Sequence, residues 1–307
     1  MPPERSRQPG RPGPARSPAA RRTEQWSQEN TVRRLRAAGC VFAEEEARLL
    51  TGAAASAAEL EAMIERRVDG LPLEHILGWA EFCGLRIGVT AGVFVPRRRT
   101  EFLVRQAELL LRGTFGSAAP DGAAHDGGTH DDVMSDGAQR AVVVDLCCGS
   151  GAVGAALAAH VPGIELHASD LDPAAVRCAR GNIGPAGGHV HEGDLFEPLP
   201  ARLRGRITVL VANAPYVPTA AIGTMPPEAR THEPLMSLDG GPDGLDIQRR
   251  VIAGAPAWLA PGGHVLIETS RRQARRTVGL MRSAGLAARL AADPELDATI
   301  AIGSRQG

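Results

Sequence analysis

The stretch "AVVVDLCCGSGAVG", residues 141–154, decides how the second half of this chain folds. Ala141 to Leu146 is an apolar, β-branched run interrupted by one acid, and Gly149, Gly151 and Gly154 then fall among small residues. A buried strand that turns on glycines into a small-residue helix is the opening unit of a nucleotide-binding α/β sheet, with its ligand at the carboxyl ends of the strands. Downstream, "IELHASD" (164–170), "HVHEGD" (189–194), "ITVLVAN" (207–213) and "GGHVLIET" (262–269) read as further short strands. Helical segments separate them, one starting near Asp172-Pro173. The alternation predicts an α/β domain over 140–307 with a parallel sheet covered on both faces.

Upstream, residues 24–72 read as a small helical domain. "SAAELEAMIERRVDG" places Ser56 and Glu59 as a capping box and sets Leu60, Met63, Ile64 and Val68 on one face, with Gly39, Gly52 and Gly70 as helix stops. Residues 73–113 follow as a hairpin linker and a helix starting near Thr100. Residues 114–139 are rich in Gly, Ala, Asp and His and read as a flexible surface loop. His125, Asp126, His130, Asp131 and Asp132 lie there without a rigid frame, so no metal site is expected. Residues 1–23 carry Arg and Pro but no apolar signal core, and read as a disordered, solvated tail. A nucleic-acid-binding arm is the alternative for that tail.

The 307 residues are 43% hydrophobic and 22% charged, the composition of a globular protein long enough for two unequal domains. A net charge of −1 gives no global attraction to nucleic acid or membrane, and no apolar run is long enough to span a bilayer. The positive charge is carried by arginine, with no lysine in the chain. Cys40, Cys83, Cys147, Cys148 and Cys178 show no metal-ligand spacing and fit a reducing cytoplasm. The chain is expected to act there as a monomer.

By itself the glycine turn does not separate a dinucleotide from S-adenosylmethionine, because Asp170 stands about 20 residues past Gly151 in either case. Other residues favour S-adenosylmethionine. Asp145, before the glycines, would repel a pyrophosphate but suits the cationic amino-acid end of that cofactor. Asp194 ends the third strand, where it can accept from an adenine amino group. Cys147 and Cys148 invite a nucleophile reading, yet Cys147 occupies a slot that calls for a small residue beside the ligand.

The fourth strand ends in Asn213-Ala214-Pro215-Tyr216, which contains the chain's single tyrosine. An amide nitrogen is a poor nucleophile because its lone pair is delocalised into the carbonyl. The Asn213 side-chain oxygen and the Ala214 carbonyl, aimed by Pro215, can accept from such an NH₂ group while the Tyr216 ring packs on its plane. The turn therefore reads as a clamp for one flat, hydrogen-bearing nitrogen about to take a methyl group. The plainer alternative is a tight turn with an incidental tyrosine.

"PLEHILGWAEFCGL", "VFVPRRRTE", "DLCCGSGAVG", "SDLDP", "EGDLFEPL", "NAPYVP" and "EPLMSLDGGPDGLDIQRRVI" together resemble the HemK-type release-factor glutamine methyltransferases, the protein-(glutamine-N5) methyltransferases. The resemblance spans residues 30–305. It implies an N-terminal helical substrate-recognition domain, a hairpin linker and a seven-stranded Rossmann-like class I methyltransferase domain. It also implies S-adenosylmethionine as methyl donor and a release factor as protein partner. By that resemblance Asp145 and Gly149 lie near the methionine part, Asp170 binds the ribose, Asp194 lies near adenine, and Asn213 with the following backbone holds the substrate glutamine; Cys147, Gly151 and Asn213 are expected among the cofactor-binding residues as well. The chain departs from the family pattern at Ala214 (usually Pro), at Pro96–Glu101 ("PRRRTE" for "PRPETE"), at Thr208 (often Asp) and at Glu268–Ser270 ("ETS" for Glu-Ile-Gly). These departures leave open a small-molecule amine or nucleobase amino group as substrate, or a cofactor-binding protein without catalysis. An NAD-dependent oxidoreductase is a more distant alternative.

Overall fold

The structure is a computed structural model, and it describes residues 18–116 and 140–307. Most of the expected tail and nearly all of the 114–139 loop, including its His and Asp residues, lie outside the described residues. The chain divides into two units, ending and starting at Ile76 and Leu77.

The first unit contains α1 (Pro18–Ala37), α2 (Ala43–Ala53) and α3 (Ala57–Val68). Residues 18–23, expected in the tail, instead form the first turns of α1. Proline costs nothing in a helix's first turn, where the N–H has no partner, and the alanines and arginines that follow are good helix formers. Leu35, Ala43, Ala47, Leu50, Met63 and Ile64 form the buried interior of this unit. Ser56 caps α3 by accepting the Glu59 N–H at 3.1 Å. Glu59 Oε2 reaches back to the Ala55 N–H at 2.7 Å, one residue before the cap itself. Two sequence expectations need correction. Gly52 lies inside α2 and does not stop it, whereas Gly39 and Gly70 adopt the left-handed conformation that ends a helix. Val68, the last residue of α3, is 40% exposed and adds little to the interior.

A one-turn helix α4 (Leu73–Leu77) precedes the hairpin of β1 (Trp79–Phe82) and β2 (Leu85–Gly88). Cys83 and Gly84 both have positive φ, as a type I′ turn requires. Helix α5 (Glu101–Gly116) follows a 3₁₀ turn at Arg98–Thr100. The sheet then forms from β3 (Val142–Leu146), β4 (Glu165–Asp170), β5 (His189–Glu192), β6 (Ile207–Ala212), β7 (Leu259–Glu268), β8 (Ala287–Asp293) and β9 (Ala298–Ser304). The intervening helices are α6 (Ala152–His160), α7 (Pro173–Ile183), α8 (Pro227–His232), α9 (Asp246–Trp258) and α10 (Ala274–Ser283).

The strand order is β5-β4-β3-β6-β7-β9-β8. β3 to β7 pair in parallel, as the alternating pattern predicts, β8 runs in the same direction, and β9 alone of the seven runs antiparallel, to both β7 and β8. That departure follows from the short β8–β9 connection, since adjacent strands joined without a crossover must run in opposite directions. Alternation along the strands divides the core. Val143, Val209, Val211 and Leu266 pack with residues of α5, α6 and α7, while Val144, Leu210, Val265 and Ile267 pack with α9 and α10. Strand order reverses at β3, so its carboxyl end, between those of β4 and β6, is where such a sheet opens a ligand crevice.

Candidate active site

Strand register brings the candidate residues to one end of the sheet. Leu146 pairs with Ser169 on one side and Ala212 on the other, so Cys147, Asp170 and Asn213 emerge side by side. Glu268 follows Ile267, the partner of Ala212, and so ends β7 next to Asn213.

The turn after β3 is held by carboxylates. Asp145 Oδ2 accepts the Gly154 N–H at 3.0 Å from inside α6, and Asp170 Oδ2 accepts the Gly149 N–H at 2.8 Å. The other Asp170 oxygen accepts the Asp172 N–H at 2.9 Å. Gly151, with φ +76°, has no room for a side chain, because a Cβ would stand 2.9 Å from Ile183 Cδ1 and 3.0 Å from Ala179 Cβ. A Cβ on Gly149, also in left-handed backbone at φ +55°, would instead meet open space. Asn182 of α7 ties this turn to the hairpin. Its Nδ2 donates to Ser150 O at 2.8 Å and Gly88 O at 2.9 Å, and its Oδ1 accepts the Gly88 N–H at 2.9 Å.

Burial sets the electrostatics. It pushes the Asp145 carboxyl up to about 7, the nearby Asp170 adding to the effect, and it raises Asp170 as well. The Cys147 and Cys148 thiols are raised by burial first and then by the neighbouring acids, which keeps both protonated and argues against a nucleophile. Asp170, Asp145 and Asp194 each raise the Cys147 thiol after burial, and Arg250 lowers it. Asp194 Oδ2 also receives the Arg250 guanidinium from α9 at 2.6 Å.

The Asn213–Tyr216 turn rests on residues much later in the chain. Gln273, at the start of α10, donates its Nε2 to Tyr216 O and Asp243 O, both at 2.9 Å. The Val217 N–H donates to Leu238 O at 3.0 Å, and the Gly240 N–H donates to Val217 O at 2.9 Å. Residues 239–244 lie directly against the turn. A Cβ on Gly240 would stand 2.7 Å from Pro215 O, and one on Gly244 would stand 2.3 Å from Tyr216 O. Ala214 is buried. Asn213 Nδ2 donates to Thr100 Oγ1 at 3.3 Å, and the Tyr216 hydroxyl donates to Glu268 Oε1 at 3.4 Å. Burial, with Glu268 beside it, pushes the phenol up to about 12.

Thr100, Glu268, Gln273, Asn182 and Arg250 are the parts that motif reading left without a role. Only Glu268 and Thr100 carried a signal, both standing in stretches where the chain departs from the family pattern. The groups converging on the glycine turn are acids and neutral thiols, with open space at Gly149. That donor set fits a cationic, hydroxyl-bearing ligand and suits a pyrophosphate poorly.

A reversing α/β sheet with an acid-lined glycine turn and a polar turn after the neighbouring strand defines a class I S-adenosylmethionine-dependent methyltransferase. Residues 132–225 match the family model described as Methyltransferase small domain. The release factor glutamine methyltransferase of Geobacter sulfurreducens is 36% identical over 225 residues, 73% of this chain and 69% of that one. A 4-amino-L-phenylalanine/4-methylamino-L-phenylalanine methyltransferase of Streptomyces pristinaespiralis is 34% identical over 72% of this chain and 68% of its own. The structure of the hMettl16 catalytic domain, solved with an RNA hairpin, is similar in fold, with TM-score 0.51, 13% identity and 81% of each chain covered. The chain belongs to the release factor glutamine methyltransferase family.

Proposed function

We propose that this protein transfers a methyl group from S-adenosylmethionine to the side-chain amide nitrogen of a glutamine in a peptide chain release factor. The observation that carries the reading is the Asn213-Ala214-Pro215-Tyr216 turn, fixed by its own hydrogen bonds beside the acid-lined glycine turn. Bound S-adenosylmethionine supplies an electrophilic methyl carbon on a sulfonium, so neither a metal nor a strong base is required.

Asp145 and Asp170 hold the turn that receives the cofactor. Asp170 is placed for hydroxyl groups, and Asp194 for an exocyclic amine. Asn213 Oδ1 and the Ala214 carbonyl accept from the two amide hydrogens and aim the nitrogen. The Tyr216 ring covers the flat face of the amide. Each such hydrogen bond, when buried, contributes roughly 1–3 kcal/mol toward orienting a weak nucleophile. The partner is a protein, bound transiently by a monomer, with no role for nucleic acid or membrane. The cytoplasm is the site of action, which five cysteines without metal-ligand spacing suit.

The test is incubation with labelled S-adenosylmethionine and purified release factors, followed by mass spectrometry of the product. Label on a glutamine is the expected result, and its absence from every release factor overturns the reading. One specific observation favours a second reading, a small-molecule amine: the Streptomyces relative named for 4-amino-L-phenylalanine is almost as similar as those named for release factors. A glutamine-bearing peptide added as competitor separates the two. It inhibits if the clamp takes a carboxamide and has no effect if the clamp takes an aryl amine.

A further inference from the structure

Two short turns meet the ends of the Asn213–Tyr216 turn, and both carry arginine at their tips. In the first, Arg97 to Thr100, the Thr100 N–H donates to Arg97 O at 2.9 Å. In the second, Ser270 to Gln273, the Gln273 N–H donates to Ser270 O at 3.0 Å. The last residue of each is buried and anchored on the substrate turn. Thr100 Oγ1 accepts from Asn213 Nδ2 at 3.3 Å, and Gln273 Nε2 donates to Tyr216 O at 2.9 Å. The two middle residues of each are exposed arginines, Arg98 and Arg99 in one and Arg271 and Arg272 in the other. One pair thus stands by the first residue of the substrate turn and the other by its last.

These guanidiniums have little to hold within the fold. Among the described residues, the side chains of Arg98, Arg99 and Arg272 make no ion pair or hydrogen bond. Arg271 lies 2.8 Å from Asp297, but both are largely exposed, and such a surface pair contributes little. Nearby acids are engaged elsewhere. Glu101 Oε1 accepts the Cys83 N–H at 3.4 Å, Glu233 holds Arg97, and Glu268 is buried. Beyond Gln273, Arg275 and Arg276 add charge in the first turn of α10, which contains no acid and where the helix dipole is already positive. Arg276 comes within 3.9 Å of Asp243, but Arg249 holds that carboxylate more closely, at 2.5 Å.

Guanidiniums without internal partners raise the potential around the substrate turn and fit carboxylates, which arginine can bind through two parallel N–H bonds. The whole chain has a net charge of −1, so the excess is local. Arg98 and Arg99 are also the two positions at which "PRRRTE" departs from "PRPETE", in place of a proline and an acid. A nucleic-acid strand, the other common polyanion, calls for a basic track along its backbone with aromatic faces on which bases stack. Here the arginines sit at two points, and the turn between them offers one ring, Tyr216. The arrangement suits an acidic polypeptide better.

We propose that Arg98, Arg99, Arg271 and Arg272 form a two-pronged docking surface for the protein substrate and select an acidic segment of it beside the methylated residue. The inference deepens the proposed function and rests on it for the reaction performed. The charge of the surface is a property of this chain alone.

Direct binding tests it without turnover. A fluorescent oligoglutamate peptide, followed by anisotropy in the presence of S-adenosylmethionine, binds the parent, and added salt weakens the binding. Arg98→Gln/Arg99→Gln and Arg271→Gln/Arg272→Gln each weaken it by roughly fourfold, about twofold for each exposed charge. Arg98→Lys/Arg99→Lys and Arg271→Lys/Arg272→Lys keep most of it. Neutralising two exposed arginines on other elements, in Arg177→Gln/Arg289→Gln, leaves it near the parent's. With a purified release factor as substrate, the two glutamine double variants raise KM by similar factors. Their kcat and affinity for S-adenosylmethionine stay near the parent's.

Unchanged binding in both double variants, an equal loss in Arg177→Gln/Arg289→Gln, or a fall in kcat in place of a rise in KM overturns the proposal. So does tighter binding of a single-stranded RNA oligonucleotide of equal charge, which would make the surface one for nucleic acid. If one double variant fails to fold, the other decides. A parent that binds oligoglutamate through these arginines yet methylates no release factor refutes the functional reading alone.

Discussion

Replacing Gln273 by leucine tests whether the substrate turn is built by contacts distant in sequence. Gln273 is 7% exposed, and its amide donates to two main-chain carbonyls, Tyr216 O and Asp243 O, at 2.9 Å each. Leucine is close in size but offers no donor, so both carbonyls lose their partner in a site with little access to water. At about 1 kcal/mol net per hydrogen bond the variant loses about 2 kcal/mol of stability. For a unit of this size that corresponds to a fall in Tm of roughly 4–8 °C. Differential scanning calorimetry measures it, and methyl transfer to a release factor measures the consequence for the turn. The glycine turn that receives the cofactor is held by Asp145 and Asp170 and does not touch Gln273. Catalysis should therefore fall while affinity for S-adenosylmethionine stays near the parent's. A variant with parental Tm and parental kcat would show that the turn stands without this support, and the account given of it would fail.

Asn213→Ala removes a hydrogen-bond acceptor from the clamp, and kcat falls by roughly ten- to a hundredfold with cofactor affinity little changed, as rate and calorimetric measurements would show. Gly151→Ala places a side chain in left-handed backbone, at a cost of roughly 1–2 kcal/mol, and against α7 as well. Gly149→Ala carries the same left-handed strain but meets no neighbour, so Gly151→Ala lowers Tm by more than Gly149→Ala does, as calorimetry would show. Asp145 gives a pH signature. Its carboxyl titrates at about 7 when folded against an ordinary 3.8, so the folded state holds the proton longer. Its contribution makes the protein less stable as pH rises from 3.8 toward 7, and Asp145→Asn should flatten that part of a denaturation profile.

Much of the fold was legible because strand burial writes itself into sequence. "AVVVDL" and "ITVLVAN" are apolar on both faces, as strands covered on both sides must be, and the glycines after the first mark a turn that side chains cannot make. The antiparallel run of β9 was not legible from periodicity, since strand direction is set by the length of a connection and leaves no mark on the strand's own residues. Asn213–Tyr216 stood out for its chemistry, and register then places it beside Cys147 and Asp170. The support of that turn was not legible. Gln273 lies far along the chain from Tyr216 and looks like any polar residue at a helix start, because its role comes from where α10 begins in space. Val68 and Gly52 show the same limit on a smaller scale, for a helical stripe does not tell where the neighbouring helix ends.

The long reach of Gln273 back to Tyr216 has a consequence for synthesis. A ribosome making this chain releases the cofactor half first, with β3, β4 and the glycine turn, while the segment that steadies the substrate turn is still unmade. Residues 238–244 and then 273 have to emerge before Tyr216 O and Val217 find their partners. A nascent chain, or one cut short by a premature stop, would carry the beginnings of a cofactor cradle without an assembled clamp. Methylating competence would thus arrive only once the start of α10 has left the ribosome.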